Sequence, residues 1–144
     1  MPSADKSNIS ILLVDDEPLI LRGLARRLRG YRLHLAYDVP SALEILRDHD
    51  VDIVISDYNM PGPDGLTLME LVRRKQPRAR RVLMSATPPF ELTQLLMVGL
   101  IHHYLPKPFG ETMVQQILAT ADSSPQRRSR RRGPSIEVEA HERN

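Results

Sequence analysis

Five side chains scattered along this chain have the types needed to hold and transfer an anion. Asp15 and Asp16 are adjacent carboxylates, Asp57 is a third, Ser85 is a hydroxyl and Lys107 is an ammonium. Three carboxylates gathered without a counter-charge repel one another, so a cation is expected beside them. An all-oxygen ligand set that keeps several waters suits Mg2+. A hydroxyl and an ammonium on the same rim would hydrogen-bond to anionic oxygens. Together the five make a site for Mg2+ and a phosphoryl group, with Asp57 as the nucleophile. A duller reading of Asp15-Asp16 stays open here: acids favour helix N-termini, so the pair could simply open a loop and cap the next helix.

That chemistry exists only if the fold brings the five together. Asp57 follows Ile53-Val54-Ile55, an apolar, β-branched run that reads as a buried strand over 51–56. Turn formers come at once: Asn59, Pro61, Gly62, Pro63, Asp64, Gly65. Asp15-Asp16 end a second apolar run, Ile9 to Val14. Pro18 then suits a first helical turn, and Ile20, Leu24 and Leu28 recur at spacing four, with Arg22, Arg26 and Arg29 outside and Gly30 as the stop. A short strand at 33–36 precedes a helix capped by Asp38. Leu68, Met69, Leu71 and Val72 mark a third helix, 82–86 a fourth strand, and Pro88-Pro89 open a fourth helix running to about Val98. A fifth strand at 103–105 leads to Lys107, and Val114, Ile117, Leu118 and Ala121 give a fifth helix.

Five strand–helix units in alternation predict an α/β fold, a five-stranded parallel sheet with helices on both faces. Right-handed crossovers leave few topologies. The flavodoxin-like (βα)5 order 2-1-3-4-5 places its switch point between strands 1 and 3, where ligands bind. Asp15, Asp16 and Asp57 end those two strands. Ser85 and Lys107 follow strands 4 and 5 on the same edge.

At this point the chain resembles the CheY-like receiver domain of two-component response regulators. The likeness rests on Val14-Asp15-Asp16-Glu17, Asp57-Tyr58-Asn59-Met60-Pro61 with Asp64-Gly65, Ser85-Ala86, and Tyr104-Leu105-Pro106-Lys107-Pro108-Phe109. It implies a phosphoacceptor. Asp57 would take a phosphoryl group from a histidine kinase or phosphotransfer protein. Asp15, Asp16, Asp57 and the Asn59 backbone carbonyl would hold Mg2+. Lys107, Ser85 and Ala86 would face the phosphoryl oxygens, Ser85 moving toward them, with Tyr104 turning inward as the switch aromatic. Asn59 and Thr87 occupy positions that tune phosphoryl lifetime, and Lys107-Pro108 is often a cis peptide in the family. The output surface would be the face of helix 4, strand 5 and helix 5. The apolar residues of helix 4 are not confined to one stripe, which calls for cover by a second copy or a protein partner.

Composition bounds these readings. The chain has 144 residues and no cysteine, which excludes disulfides and thiolate metal sites. No apolar run reaches the ~18 residues of a membrane span, and residues 1–8 lack a signal-peptide core, so a cytoplasmic protein is expected. The domain reading is an N-terminal extension at 1–8, a receiver at 9–121 and a basic, disordered tail at 122–144. The net charge of +2 falls in that tail, which holds six arginines against four acids. Without aromatics or a recognition helix, it makes nucleic acid an unfavoured partner. The tail could instead lead to an output domain, making the chain a fragment of a larger regulator. A phosphatase on a similar sheet would want an acid two residues after the nucleophile, and Asn59 stands there. A non-enzymatic role is therefore expected.

Overall fold

The computed structural model describes residues 6–121. Residues Lys6–Asn8 form a short 3-10 turn. The expectations for residues 1–5 and for the tail at 122–144 lie outside the described residues.

The strands are β1 (Ser10–Val14), β2 (Arg32–Ala36), β3 (Ile53–Asp57), β4 (Arg80–Ser85) and β5 (His103–Pro106). Every residue of β1 and β3 is buried, as a strand covered on both faces requires. All pairings are parallel, in the order β2-β1-β3-β4-β5. The expected fold and strand order are those observed. β3 runs one residue further than predicted, so Asp57 is its last residue.

Alternation along the strands feeds two cores. Leu12, Val14, Val54 and Leu83 point to one face, where they join Leu46, Leu68 and Leu95 of α2 (Val39–Asp48), α3 (Gly65–Lys75) and α4 (Leu92–Met97). Ile11, Leu13, Ile55 and Met84 point to the other, under Leu21, Leu24 and Ile117 of α1 (Pro18–Arg27) and α5 (Glu111–Ala121). Each such leucine or isoleucine contributes about 1.5–3 kcal/mol when fully buried. Aspartates start two of the helices. Asp38 accepts from the Ser41 amide at 2.9 Å, and Asp64 accepts from the Thr67 amide at 3.0 Å. Such caps are worth about 1 kcal/mol each.

Two helix boundaries differ from expectation. α1 ends at Arg27 with Leu28 as its cap, so Arg29 lies past the helix rather than on its outer face. α4 spans only Leu92–Met97. Pro88 and Pro89 have no amide to donate, and a residue before proline is pushed out of the helical region, so 86–91 form a loop. The apolar surplus is real. Leu95 is buried, but Phe90, Met97 and Val98 are 105%, 80% and 60% exposed.

The sheet edge opposite the carboxylates is closed by polar side chains with no sequence signature. Arg81 in β4 is 4% exposed, and its guanidinium donates to the carbonyls of Leu100, Gly99, Pro77 and Ala79. Its amide donates to His102 Nδ1 at 2.9 Å. Burial, then the charges of Arg81 and Arg80, hold the His102 pKa down to about 4. The native ring stays neutral while an unfolded histidine takes a proton below about 6.5, so stability falls as pH drops from 6.5 toward 4. For a half-exposed ring, solvent screening reduces the loss to about 1–2 kcal/mol. His102→Asn keeps an acceptor without a titration. Urea midpoints at pH 7 and pH 4.5 should fall less in this variant than in the wild type.

Candidate functional site

The switch point of the sheet gathers the predicted acids. Asp57 closes β3 and is 7% exposed, Asp15 follows β1 fully buried, and Asp16 beside it is half-buried. One carboxylate oxygen from each lies within 4.8 Å of the other two. Lys107, just past β5, supplies the counter-charge. Its Nζ donates to Asp57 Oδ1 at 2.9 Å and to Asp15 Oδ2 at 3.0 Å. The Asp15 Oδ1 atom accepts from the Glu17 amide at 2.9 Å. Asp15 therefore serves both the acid cluster and the start of α1.

Electrostatics follow from burial and these contacts. Burial raises the Asp57 pKa above the usual carboxylate value. The hydrogen bond from Lys107 works against this, and the charges of Asp15 and Asp16 add to it. For Lys107, burial alone would lower the pKa, but hydrogen bonds and charge from Asp57 and Asp15 hold it above the ordinary value. The amine is thus a fixed cation at neutral pH.

The loop after β3 has a steric requirement. Gly65, at the start of α3, donates its amide to the Tyr58 carbonyl at 2.9 Å. A Cβ at this position would stand 2.3 Å from the Asp57 carbonyl oxygen and 2.9 Å from the Tyr58 Cα. Only glycine lets α3 start this close to the end of β3.

Ser85 ends β4 and is buried. Its hydroxyl is turned to the Thr87 carbonyl and to the Tyr104 hydroxyl, 3.0 Å away. Tyr104 also donates to the Ser85 carbonyl at 3.1 Å, so the ring already reaches inward to β4. Among the described residues, the Ser85 hydroxyl makes no hydrogen bond to Asp57. The Lys107 amide donates to the Ser85 carbonyl at 2.8 Å, which ties the last turns of β4 and β5 together. Ala86, Thr87 and Asn59 are exposed on the loops of this rim. The Lys107-Pro108 peptide is cis.

Arg27 has a role that α1 periodicity did not mark. It donates from Nη1 to the Phe109 carbonyl at 3.3 Å, and its guanidinium carbon lies 5.8 Å from the centroid of that ring. Its partner is 82 residues away, so nothing local in the sequence pointed to the contact.

A family model described as the response regulator receiver domain matches residues 11–119. This chain belongs to that family. Among curated relatives, the sensor kinase CckA of Brucella abortus is 35% identical over 121 residues, 78% of this chain and 13% of its own length. The receiver thus spans only a small part of that relative. Among solved structures, the signal receiver domain of an HD domain-containing protein from Pseudomonas fluorescens Pf-5 is 33% identical with a TM-score of 0.75, covering 84% of this chain and 98% of that one. The response regulator TrrA of Thermotoga maritima, solved in complex with Mg(2+)-BeF, is 29% identical with a TM-score of 0.69, covering 78% and 98%. The receiver described here is homologous to such domains of sensor kinases and regulators. No helix among its described residues is long and apolar enough to cross a membrane.

Proposed function

We propose that this receiver is a phosphoacceptor switch of a two-component phosphorelay, with Asp57 as the acceptor. The observation that carries this reading is the bridge from Lys107 to both Asp57 and Asp15, at the ends of the two strands flanking the switch point. An Asp57 oxygen forms the new O–P bond as the P–N bond of a phosphohistidine breaks, and the electron pair leaves on the donor imidazole. Lys107 offers its ammonium to the phosphoryl oxygens, and the Ser85 hydroxyl reaches them by leaving Thr87 and Tyr104.

The carboxylates of Asp15, Asp16 and Asp57 fit Mg2+, since they offer hard oxygen donors within 4.8 Å of one another. The Asn59 backbone carbonyl is the further ligand on this reading. When bound, Mg2+ supplies positive charge against the phosphoryl oxygens. The phosphoryl group carries about −1.5 to −2 charges in place of the single charge of the bare carboxylate, and Ser85 and Lys107 interact better with it. That difference biases the β4–α4 loop and Tyr104.

The donor is a histidine kinase or phosphotransfer protein. The output surface is the α4–β5–α5 face, where exposed Phe90, Met97 and Val98 await a protein partner or a second copy. Asn59 and Thr87 tune the lifetime of the phosphoryl group. With no acid at 59 to drive turnover, the chain acts as a carrier rather than an enzyme, and its setting is the cytoplasm.

Exposure to acetyl phosphate with Mg2+ should add one phosphoryl group, read as intact mass. Chelation of the metal should abolish the addition. Labelling that is undiminished in excess chelator would remove Mg2+ from the reaction.

A further inference from the structure

Lys107 must hold its ammonium between two carboxylates from the start of a loop, and something must hold that loop. Upstream, the Lys107 amide is fixed by the Ser85 carbonyl at 2.8 Å. Downstream, the chain runs through exposed Pro108 to half-buried Phe109 before α5 begins at Glu111. Phe109 packs against the edge of the apolar core beneath α1 and α5, but this packing does not close the space between Lys107-Pro108 and α1. Between them lies a cleft of about 370 Å3, bordered by Leu19, Ile20, Leu24, Lys107 and Pro108. At its margin stands Arg27, on the last turn of α1. It meets Phe109 twice, through the carbonyl at 3.3 Å and over the ring at 5.8 Å. A guanidinium within about 6 Å of a ring centroid is attracted to its face, and the planar fork can donate to a carbonyl at the same time.

The geometry points to Arg27 as a positioning residue for Lys107: by latching Phe109 to α1, it holds the 107–109 segment where the ammonium reaches both Asp15 and Asp57. This rests on the phosphoacceptor reading above. Arg27 touches neither the acids nor the phosphoryl site, so it acts only through the loop. A latch released on one side of the cleft lets the ammonium wander by a fraction of an ångström. Misplacement of a reacting group by about 1 Å can slow a reaction some 10²-fold, so a smaller drift should slow acceptance about 5–10-fold.

The test uses Arg27→Ala and Arg27→Lys in the full chain. Two readouts are followed: the hydrogen-exchange rate of the Lys107 ammonium, seen in its 15N–1H resonance, and the rate of labelling by acetyl phosphate at saturating Mg2+. In Arg27→Ala the ammonium should exchange faster and labelling should slow about 5–10-fold. The thermal midpoint should barely move, because Arg27 is exposed. Arg27→Lys keeps a cation over the ring but loses the planar fork, and should recover part of both effects. An unchanged ammonium resonance and labelling rate in Arg27→Ala would overturn the proposal, as would a rate that falls only with the folded fraction. A wild-type chain that takes no label would defeat the phosphoacceptor reading, yet the ammonium resonance would still decide whether Arg27 positions Lys107.

Discussion

Lys107→Ala is expected to slow phosphoryl acceptance about 10²-fold, the effect of removing one preorganised donor to developing negative charge. The same change should destabilise the fold without metal. The ammonium makes hydrogen bonds of 2.9 and 3.0 Å to two buried carboxylates, and its removal leaves Asp15, Asp16 and Asp57 facing one another unneutralised. Stranding buried charges costs about 3–5 kcal/mol in a dry interior, and this partly solvated rim should give about 2–3 kcal/mol. A divalent cation among the same oxygens would supply the missing charge. Urea denaturation with and without Mg2+ therefore distinguishes the outcomes. The gap between variant and wild type should narrow by more than half when Mg2+ is added. A gap of equal size in both buffers would mean that the acids and the metal do not share this site.

Gly65→Ala should be the most damaging small substitution in the receiver, at about 3 kcal/mol or slightly more. The added Cβ would meet the backbone of Asp57 and Tyr58 at 2.3 and 2.9 Å, and the Leu83 side chain at 3.0 Å. Backbone at the end of a fully buried strand cannot retreat without breaking the ladder. Relief must come from shifting the Asp57–Gly65 loop or the first turn of α3, so acceptance should fall together with stability. Gly23, inside α1, is the contrasting control, because a Cβ there meets nothing within 4 Å. Gly23→Ala should stabilise by about 0.5–1 kcal/mol through helix propensity alone. Thermal midpoints of the two variants moving in the same direction would contradict this explanation.

Much of this architecture was legible in the sequence because its strongest signals are local. β1 and β3 are short apolar runs cut off by acids. Asp38 sits where a cap belongs, and parallel topology then places distant carboxylates side by side. What escaped was long-range or geometric. The start of α4 was set too early because Pro88-Pro89 looks like a helix opening, whereas two prolines in series favour an extended loop. Arg81 resembles any strand-edge arginine in the sequence, and its burial depends on carbonyls from two loops that only the fold assembles. Arg27 was hidden among α1 arginines whose simplest role is to face water. Ser85 was legible as a rim hydroxyl, but its present bond to Tyr104 reflects a choice of rotamer that no spacing encodes.

The most direct test compares wild type with Asp57→Asn by intact mass after acetyl phosphate and Mg2+. Wild type should gain one phosphoryl group, and Asp57→Asn should gain none while remaining folded. Equal labelling of the two proteins would contradict the assignment of Asp57 as the acceptor.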